Sequence, residues 1–168
     1  MEIKPWDDYF LDLAKTCASR SNCLRAQVGA VIVGEDKKIK ATGYNGTPSK
    51  VESCAERGEC YRIKNNIPSG TKYETCRSIH AEQNAIISAS RKDMLNGTLY
   101  LVGINYNDNT YVQNANPCAL CKKMIINAGL KQVIVRDTKE SFRIIDIQDF
   151  IDNDESLEES KGTALVSR

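Results

Sequence analysis

His80 is the only histidine in the chain, and Cys76 and Glu82 flank it in the stretch ETCRSIHAEQNAI. Cys-x3-His is a spacing at which two side chains can share one metal ion. His-x-Glu suits a different division of labour, a ligand beside a proton carrier. Further on, Cys118 and Cys121 form Cys-x-x-Cys directly after Pro117. That motif alone is open to three chemistries: a redox dithiol, half of a structural zinc site, or two ligands of a catalytic zinc. His80 alone is also a weak signal, because a lone histidine is more often packed or solvated. Together the three residues are more informative. Two thiolates and a neutral imidazole offset the charge of zinc and fill three tetrahedral positions, leaving the fourth for water, as a catalytic site requires. Water on such an ion ionises near pH ~7 rather than ~15.7, and Glu82 stands where it can carry the proton.

The elements that must position these residues belong to a chain of 168 residues, enough for one domain with a buried core. It is 41% hydrophobic and 27% charged, the balance of a soluble globular protein. A net charge of +1 favours neither nucleic acid nor a membrane surface as partner. No apolar run approaches the roughly 18–20 residues of a membrane helix, and MEIKPWDDYF lacks a signal-peptide core. A cytoplasmic protein is expected. In a reducing compartment seven cysteines, an odd number, point to metal or redox chemistry rather than a disulfide framework.

The pattern predicts an opening helix over 5–20, with Pro5 at its start, Asp7 and Asp8 near its positive end, and Trp6, Tyr9, Phe10, Leu13, Ala14 and Cys17 on one face. QVGAVIVGEDKKIKATGYNG reads as two strands around a turn. Residues 46–75 form a long polar loop, uncommon unless functional or pinned. A short helix follows in IHAEQNAIISASR, then a strand in GTLYLVGINY that turns back through NDN. PCALCKKMIINAGL is a helix, with Pro117 at its start and Gly129 near its end, and KQVIVRD a strand. ESFRIIDIQDFI is a last strand or helix. The order predicts an α/β layered domain over 1–150 with a mixed sheet between helices. Residues 151–168 read as a polar, acidic, solvated tail.

His-x-Glu at one helix start and Pro-Cys-x-x-Cys at another is the signature of zinc-dependent nucleobase deaminases. With VGAVIV, TGYNGTP, HAEQNAI, PCALCKKMIINAG and KQVIVRD in that order, the chain resembles the cytidine/deoxycytidylate deaminase superfamily, most of all the deoxycytidylate (dCMP) deaminases. The resemblance runs from the opening helix to about Arg136. It implies a three-layer cytidine-deaminase-like fold with about five strands. It also implies a zinc-dependent hydrolase that converts dCMP to dUMP and ammonia for thymidylate synthesis. His80, Cys118 and Cys121 would hold the zinc, Glu82 would shuttle protons, Asn45 would contact the sugar and the Ala81 backbone the base. It further implies a homo-oligomer, often a hexamer, with dCTP (bound with Mg2+) and dTTP as effectors near Gly43, Tyr44 and Gly46.

Cys23, Cys54, Cys60 and Cys76 flank or interrupt the long loop, and a four-cysteine structural zinc would pin it. Cys17 is left over, packed on the first helix. Arg20 and Arg25 are offered for the substrate phosphate, with Lys50 and Arg77 as further cations. One departure from the family is VGINYNDNTYVQNANPC, where an insertion over residues 104–116, read as a hairpin, interrupts a short strand that usually runs straight into Pro-Cys. If the family geometry holds, Asn116 gives a backbone carbonyl to the substrate amine. Tyr111, Asn114 and Asn116 are then placed to reshape the pocket. Alternatives are a deaminase of cytidine, guanine or tRNA adenosine, a non-catalytic zinc-binding competence-type protein, and a thiol redox protein. Near-neutral charge weighs against tRNA, and Glu82 against a purely structural site.

Overall fold

A computed structural model of the chain describes residues 1–153; from 154 onward the expected acidic tail lies outside the described residues. Helix α1 spans Trp6–Ala18, capped by Pro5 and carrying Asp7 and Asp8 in its first turn, where they complement the positive helix end. Its apolar stripe buries Phe10, Leu11, Ala14 and Ala18. Strands β1 (Ala26–Val33) and β2 (Ile39–Tyr44) form the expected hairpin. β3 (Thr98–Asn105), β4 (Gln132–Arg136) and β5 (Phe142–Asp146) complete a five-stranded sheet in the order β2-β1-β3-β4-β5. β3 and β4 are parallel and the other pairs antiparallel. A parallel pair needs a crossover, and α6 (Ala119–Ala128) lies within that connection.

Alternation along the strands divides the core into two. Val31, Val33, Tyr100, Val102 and Ile134 face α1 and meet Phe10, Leu11 and Ala14. Ala30, Ile32, Leu99, Leu101, Val133 and Val135 face the other way, onto α4 (Ala81–Ile87), α6 and α7 (Ile147–Asp152). The result is three layers, helix, sheet and helices, as the element order predicts. Strands buried on both faces read as continuous apolar runs, which is why β1 and β3 were legible as VGAVIV and LYLVGI.

Two glycines set how closely the layers approach. A Cβ on Gly29 would lie 1.9 Å from the Ala14 carbonyl oxygen, so α1 rests directly on the β1 backbone. A Cβ on Gly43 would lie 2.3 Å from the Ala81 oxygen, so the first turn of α4 presses against β2. Polar ties secure the α1 side: Tyr100 Oη donates to Asp7 at 2.7 Å and Arg136 to Asp8 at 2.8 Å.

The long polar stretch is not structureless. It holds the single turns α2 (Cys54–Arg57) and α3 (Tyr61–Lys64) and a 3-10 turn over Tyr73–Thr75. Ser53 and Glu56 cap α2 reciprocally, the Ser53 N–H donating to Glu56 at 2.7 Å and the Glu56 N–H to Ser53 at 3.1 Å. A further turn, α5, spans Arg91–Met94. After β3 the chain doubles back as expected, the Asn105 N–H donating to the Thr110 carbonyl at 2.8 Å and Val112 to Gly103 at 2.9 Å. The segment read as strand or helix is both, β5 and then α7, because Asp146 ends the strand and accepts the Gln148 N–H as a helix cap. Among the described residues no helix is long and apolar enough to cross a membrane.

Candidate active site

Two helix starts converge on one point. His80 is the N-cap of α4, its N–H donating to the Gln83 side chain at 3.0 Å. Cys118 is the N-cap of α6, and Cys121 lies in the first turn beyond it. His80 Nδ1 sits 3.4 Å from the Sγ of both Cys118 and Cys121. Among the described residues these three form the only group of three or more His, Cys, Asp or Glu side chains with donor atoms within 4.8 Å of one another. Cys76 is outside this group.

The electrostatics fit a divalent cation. Hydrogen bonds from Cys121 and His80 hold the Cys118 thiol well below the usual thiol range. Its hydrogen bond to Cys118 and burial push Cys121 up. The hydrogen bond with Cys118 raises His80. One thiolate and one thiol thus share a proton that a zinc ion would displace, and two helix N-termini favour the thiolates formed. Soft sulfur with imidazole is also the donor set zinc prefers.

Glu82 is 5% exposed, beside this cluster. Burial raises its pKa, while the charge of His80 partly opposes the shift. A buried carboxyl whose affinity for a proton is raised suits proton transfer near neutral pH. Glu82, His80 and Cys118 open onto a cavity of about 220 Å³.

The structure places the remaining site residues with mixed outcomes. Asn45, Ala81, Asn116 and Arg25 all line that cavity. The Asn45 side chain also bridges the end of β1, accepting from Val28 N–H at 2.8 Å and donating to the Ala26 carbonyl at 2.8 Å. Arg20 is exposed just past α1 and does not line the cavity. Gly43, Tyr44 and Gly46 border a separate cavity of about 350 Å³ with Asn84 and Ile87. Cys54 is buried, and after burial itself its neighbours Cys60, Cys23 and Cys76 raise its pKa. The four cysteines therefore share one neighbourhood, without any three of them reaching the donor spacing of the first cluster.

Two wall residues escaped sequence reasoning. The Tyr73 ring stands edge-on to His80, with centroids 4.9 Å apart, and the Arg62 guanidinium lies 5.3 Å from the Tyr73 centroid. Arg62 is 4% exposed and donates to the Lys72 carbonyl at 2.6 Å and the Pro68 carbonyl at 2.8 Å. Arg62 thereby folds the long loop over the cavity. Tyr61 and Tyr73 are the two aromatics of 46–75, and nothing in their spacing tells which one turns inward.

A three-layer α/β sheet carrying a His-Cys-Cys cluster and a buried glutamate beside it is the arrangement of a zinc-dependent deaminase. The chain belongs to the cytidine and deoxycytidylate deaminase family: residues 4–137 match the model of its zinc-binding region. The deoxycytidylate deaminase of Mycobacterium phage D29 is 33% identical over 138 residues, covering 80% of this chain and 96% of that protein. The deoxycytidylate deaminase of Saccharomyces cerevisiae is 38% identical over 145 residues, covering 83% of this chain; the chain spans 41% of that longer protein. A crystal structure of the dCMP deaminase from cyanophage S-TIM5, in complex with dCMP and dUMP, superposes with a TM-score of 0.56 at 29% identity, covering 93% of this chain and 95% of that one.

Replacing a ligand should remove metal without unfolding the domain. Cys118→Ala is expected to lose one zinc equivalent on dialysis while keeping its circular dichroism, with metal analysis as the check. Retention of all the zinc would mean that Cys118 is not a ligand.

Proposed function

We propose that this chain is a deoxycytidylate deaminase, removing the 4-amino group of dCMP by hydrolysis to give dUMP and ammonia for thymidylate synthesis. The observation that carries the reading is Glu82, buried with a raised pKa beside three zinc-type donors at the wall of a nucleotide-scale cavity. The relatives' names and the dCMP and dUMP of the cyanophage structure support the choice of substrate.

His80, Cys118 and Cys121 would hold the zinc, which when bound would lower the pKa of a water to near neutral. Glu82 takes a proton from the attacking water and passes it to N3 of the cytosine; it then takes the proton of the new C4 hydroxyl and delivers it to the amine, so that the C4–N bond breaks, the carbonyl forms and ammonia leaves. The Ala81 backbone and Asn116 hold the base, and Asn45 the sugar. Tyr73 and the loop folded by Arg62 keep bulk water from the reacting face. Arg25 receives the phosphate: it lines the cavity, the one hydrogen bond of its guanidinium among the described residues is a long one of 3.4 Å to the Ile67 carbonyl, and Arg62 is already engaged with two carbonyls.

The four cysteines hold a second, structural zinc that pins the long loop; the thiols gathered around Cys54 support this. Binding of dCTP with Mg2+, or of dTTP, belongs at the cavity beside Gly43, Tyr44 and Gly46, in a cytoplasmic homo-oligomer, hexameric by family resemblance.

Three measurements test the reading. Glu82→Gln should keep its zinc while dCMP turnover falls about 10²–10⁴-fold, the usual share of a proton carrier; unchanged turnover sinks its role, and no ammonia from dCMP, CMP, deoxycytidine or dCTP with the native protein sinks the activity. Arg25→Ala should raise KM for dCMP about tenfold or more, as loss of a charged contact does, and leave deoxycytidine nearly unaffected. An equal effect on both substrates would move the phosphate elsewhere. Purified protein should contain about two zinc ions per chain, and Cys54→Ala about one, consistent with one closed and one catalytic site; a single zinc in both contradicts the structural site.

A further inference from the structure

The segment entering the site just before Pro117 and Cys118 is where this chain departs from a short strand, yet Ala115 and Asn116 reach the cavity wall. Its hold on the rest of the protein comes from Asp137, the last residue of the stretch matched to the family, and from Arg143 beyond it. Arg143, on edge strand β5, grips Asp137 with two parallel bonds, Nε to Oδ2 at 2.5 Å and Nη2 to Oδ1 at 3.0 Å. The same guanidinium donates to the Ala115 carbonyl at 2.6 Å and to the Asn116 side-chain oxygen at 3.0 Å. Asp137 in turn accepts the Asn114 N–H at 2.9 Å. Among the described residues, these are the hydrogen bonds that tie 114–116 to the rest of the fold.

The chain needs such a hold there. The last backbone tie of the preceding turn is Val112 to Gly103, and α6 begins only at Ala119. Asn114 has φ of 53°, the left-handed region, so the chain bends sharply between those points. Arginine suits the task because its planar fork meets a carboxylate with two donors and keeps others for carbonyls. Side-chain exposures of 33% for Arg143 and 15% for Asp137 place the pair in partial shelter, where it keeps more strength than at an open surface.

We infer that Arg143, held by Asp137, is a positioning residue that fixes residues 114–116 as a wall of the substrate pocket. Arg143 does not touch the reacting atoms. It sets where Ala115 and Asn116 stand, and small displacements of positioning groups cost rate and affinity out of proportion to their size. In its kinetic consequences the inference rests on the dCMP deaminase reading.

Arg143→Ala should raise both KM for dCMP and Kd for dUMP about tenfold, the loss typical of a charged hydrogen-bonded anchor, with a smaller change in kcat and zinc content unchanged. Arg143→Lys keeps the charge without the fork and should behave like Arg143→Ala. A folded Arg143→Ala with native KM and native dUMP affinity overturns the inference, as does full rescue by lysine. Hydrogen exchange supplies a readout that needs no catalysis. The Asn114 amide should be protected well above an open loop, and Asp137→Asn should release it; free exchange in the native protein overturns the clamp. If the native protein is inert toward dCMP, the proposed function fails, and the Asn114 exchange alone decides the clamp.

Discussion

A buried carboxyl and two sulfurs within a few ångströms of an imidazole can all be ionised only if a cation balances them; without one, protons must. Everything around His80, Glu82, Cys118 and Cys121 follows from that constraint. Two helix N-termini point at the cluster and favour thiolate and carboxylate, yet the hydrogen bond to Cys118 leaves Cys121, and burial leaves Glu82, with raised proton affinity. A zinc ion supplies the charge that is missing. In the proposed reaction the arrangement serves binding and chemistry at once: the cation would settle the sulfurs, and Glu82, outside the group of three donors, would move protons.

The sheet exists in this account to bring the two helix starts together. β1 and β3 are buried on both faces, so their register is fixed by apolar packing over its whole length. On that platform α4 is brought close by the bare backbone of Gly43, and α6 is delivered by the crossover from β3 to parallel β4. The remaining walls come from segments without regular structure. Arg62 folds one of them over the cavity by capturing the Lys72 and Pro68 carbonyls and backing Tyr73. Arg143 and Asp137 hold the other. Both walls use a guanidinium to satisfy loop carbonyls that have no ladder partner, which is how an irregular stretch becomes a defined surface.

Much of this was legible in the residues. Strands buried on both faces announce themselves as apolar runs, and His80, Glu82, Cys118 and Cys121 stand at spacings that few other roles explain. The split of ETCRSIHAEQNAI is also visible in the structure, with His80 in the metal cluster and Cys76 outside it. The loop residues were less readable. Arg25 and Arg20 are five positions apart with the same chemistry, and only the path of the chain past α1 brings Arg25 to the cavity. Arg62 and Arg143 act through contacts across the fold with carbonyls among their partners, and a carbonyl leaves no mark in the sequence; Tyr73 acts through the ring and guanidinium it meets there, those of His80 and Arg62. The long polar stretch was expected as a loop and contains short capped turns, because a four-residue helix is too short to show a period.

The central claim is that one metal is held by His80, Cys118 and Cys121 with Glu82 beside it as a proton carrier rather than a ligand. Anomalous diffraction at the zinc edge from crystals grown with dUMP tests it most directly. The account predicts a zinc peak within bonding distance of His80 Nδ1 and both sulfurs, with the Glu82 carboxyl outside that distance and directed at the nucleotide base. A single zinc shared by Cys76 and His80, or one with Glu82 as a ligand, would contradict it.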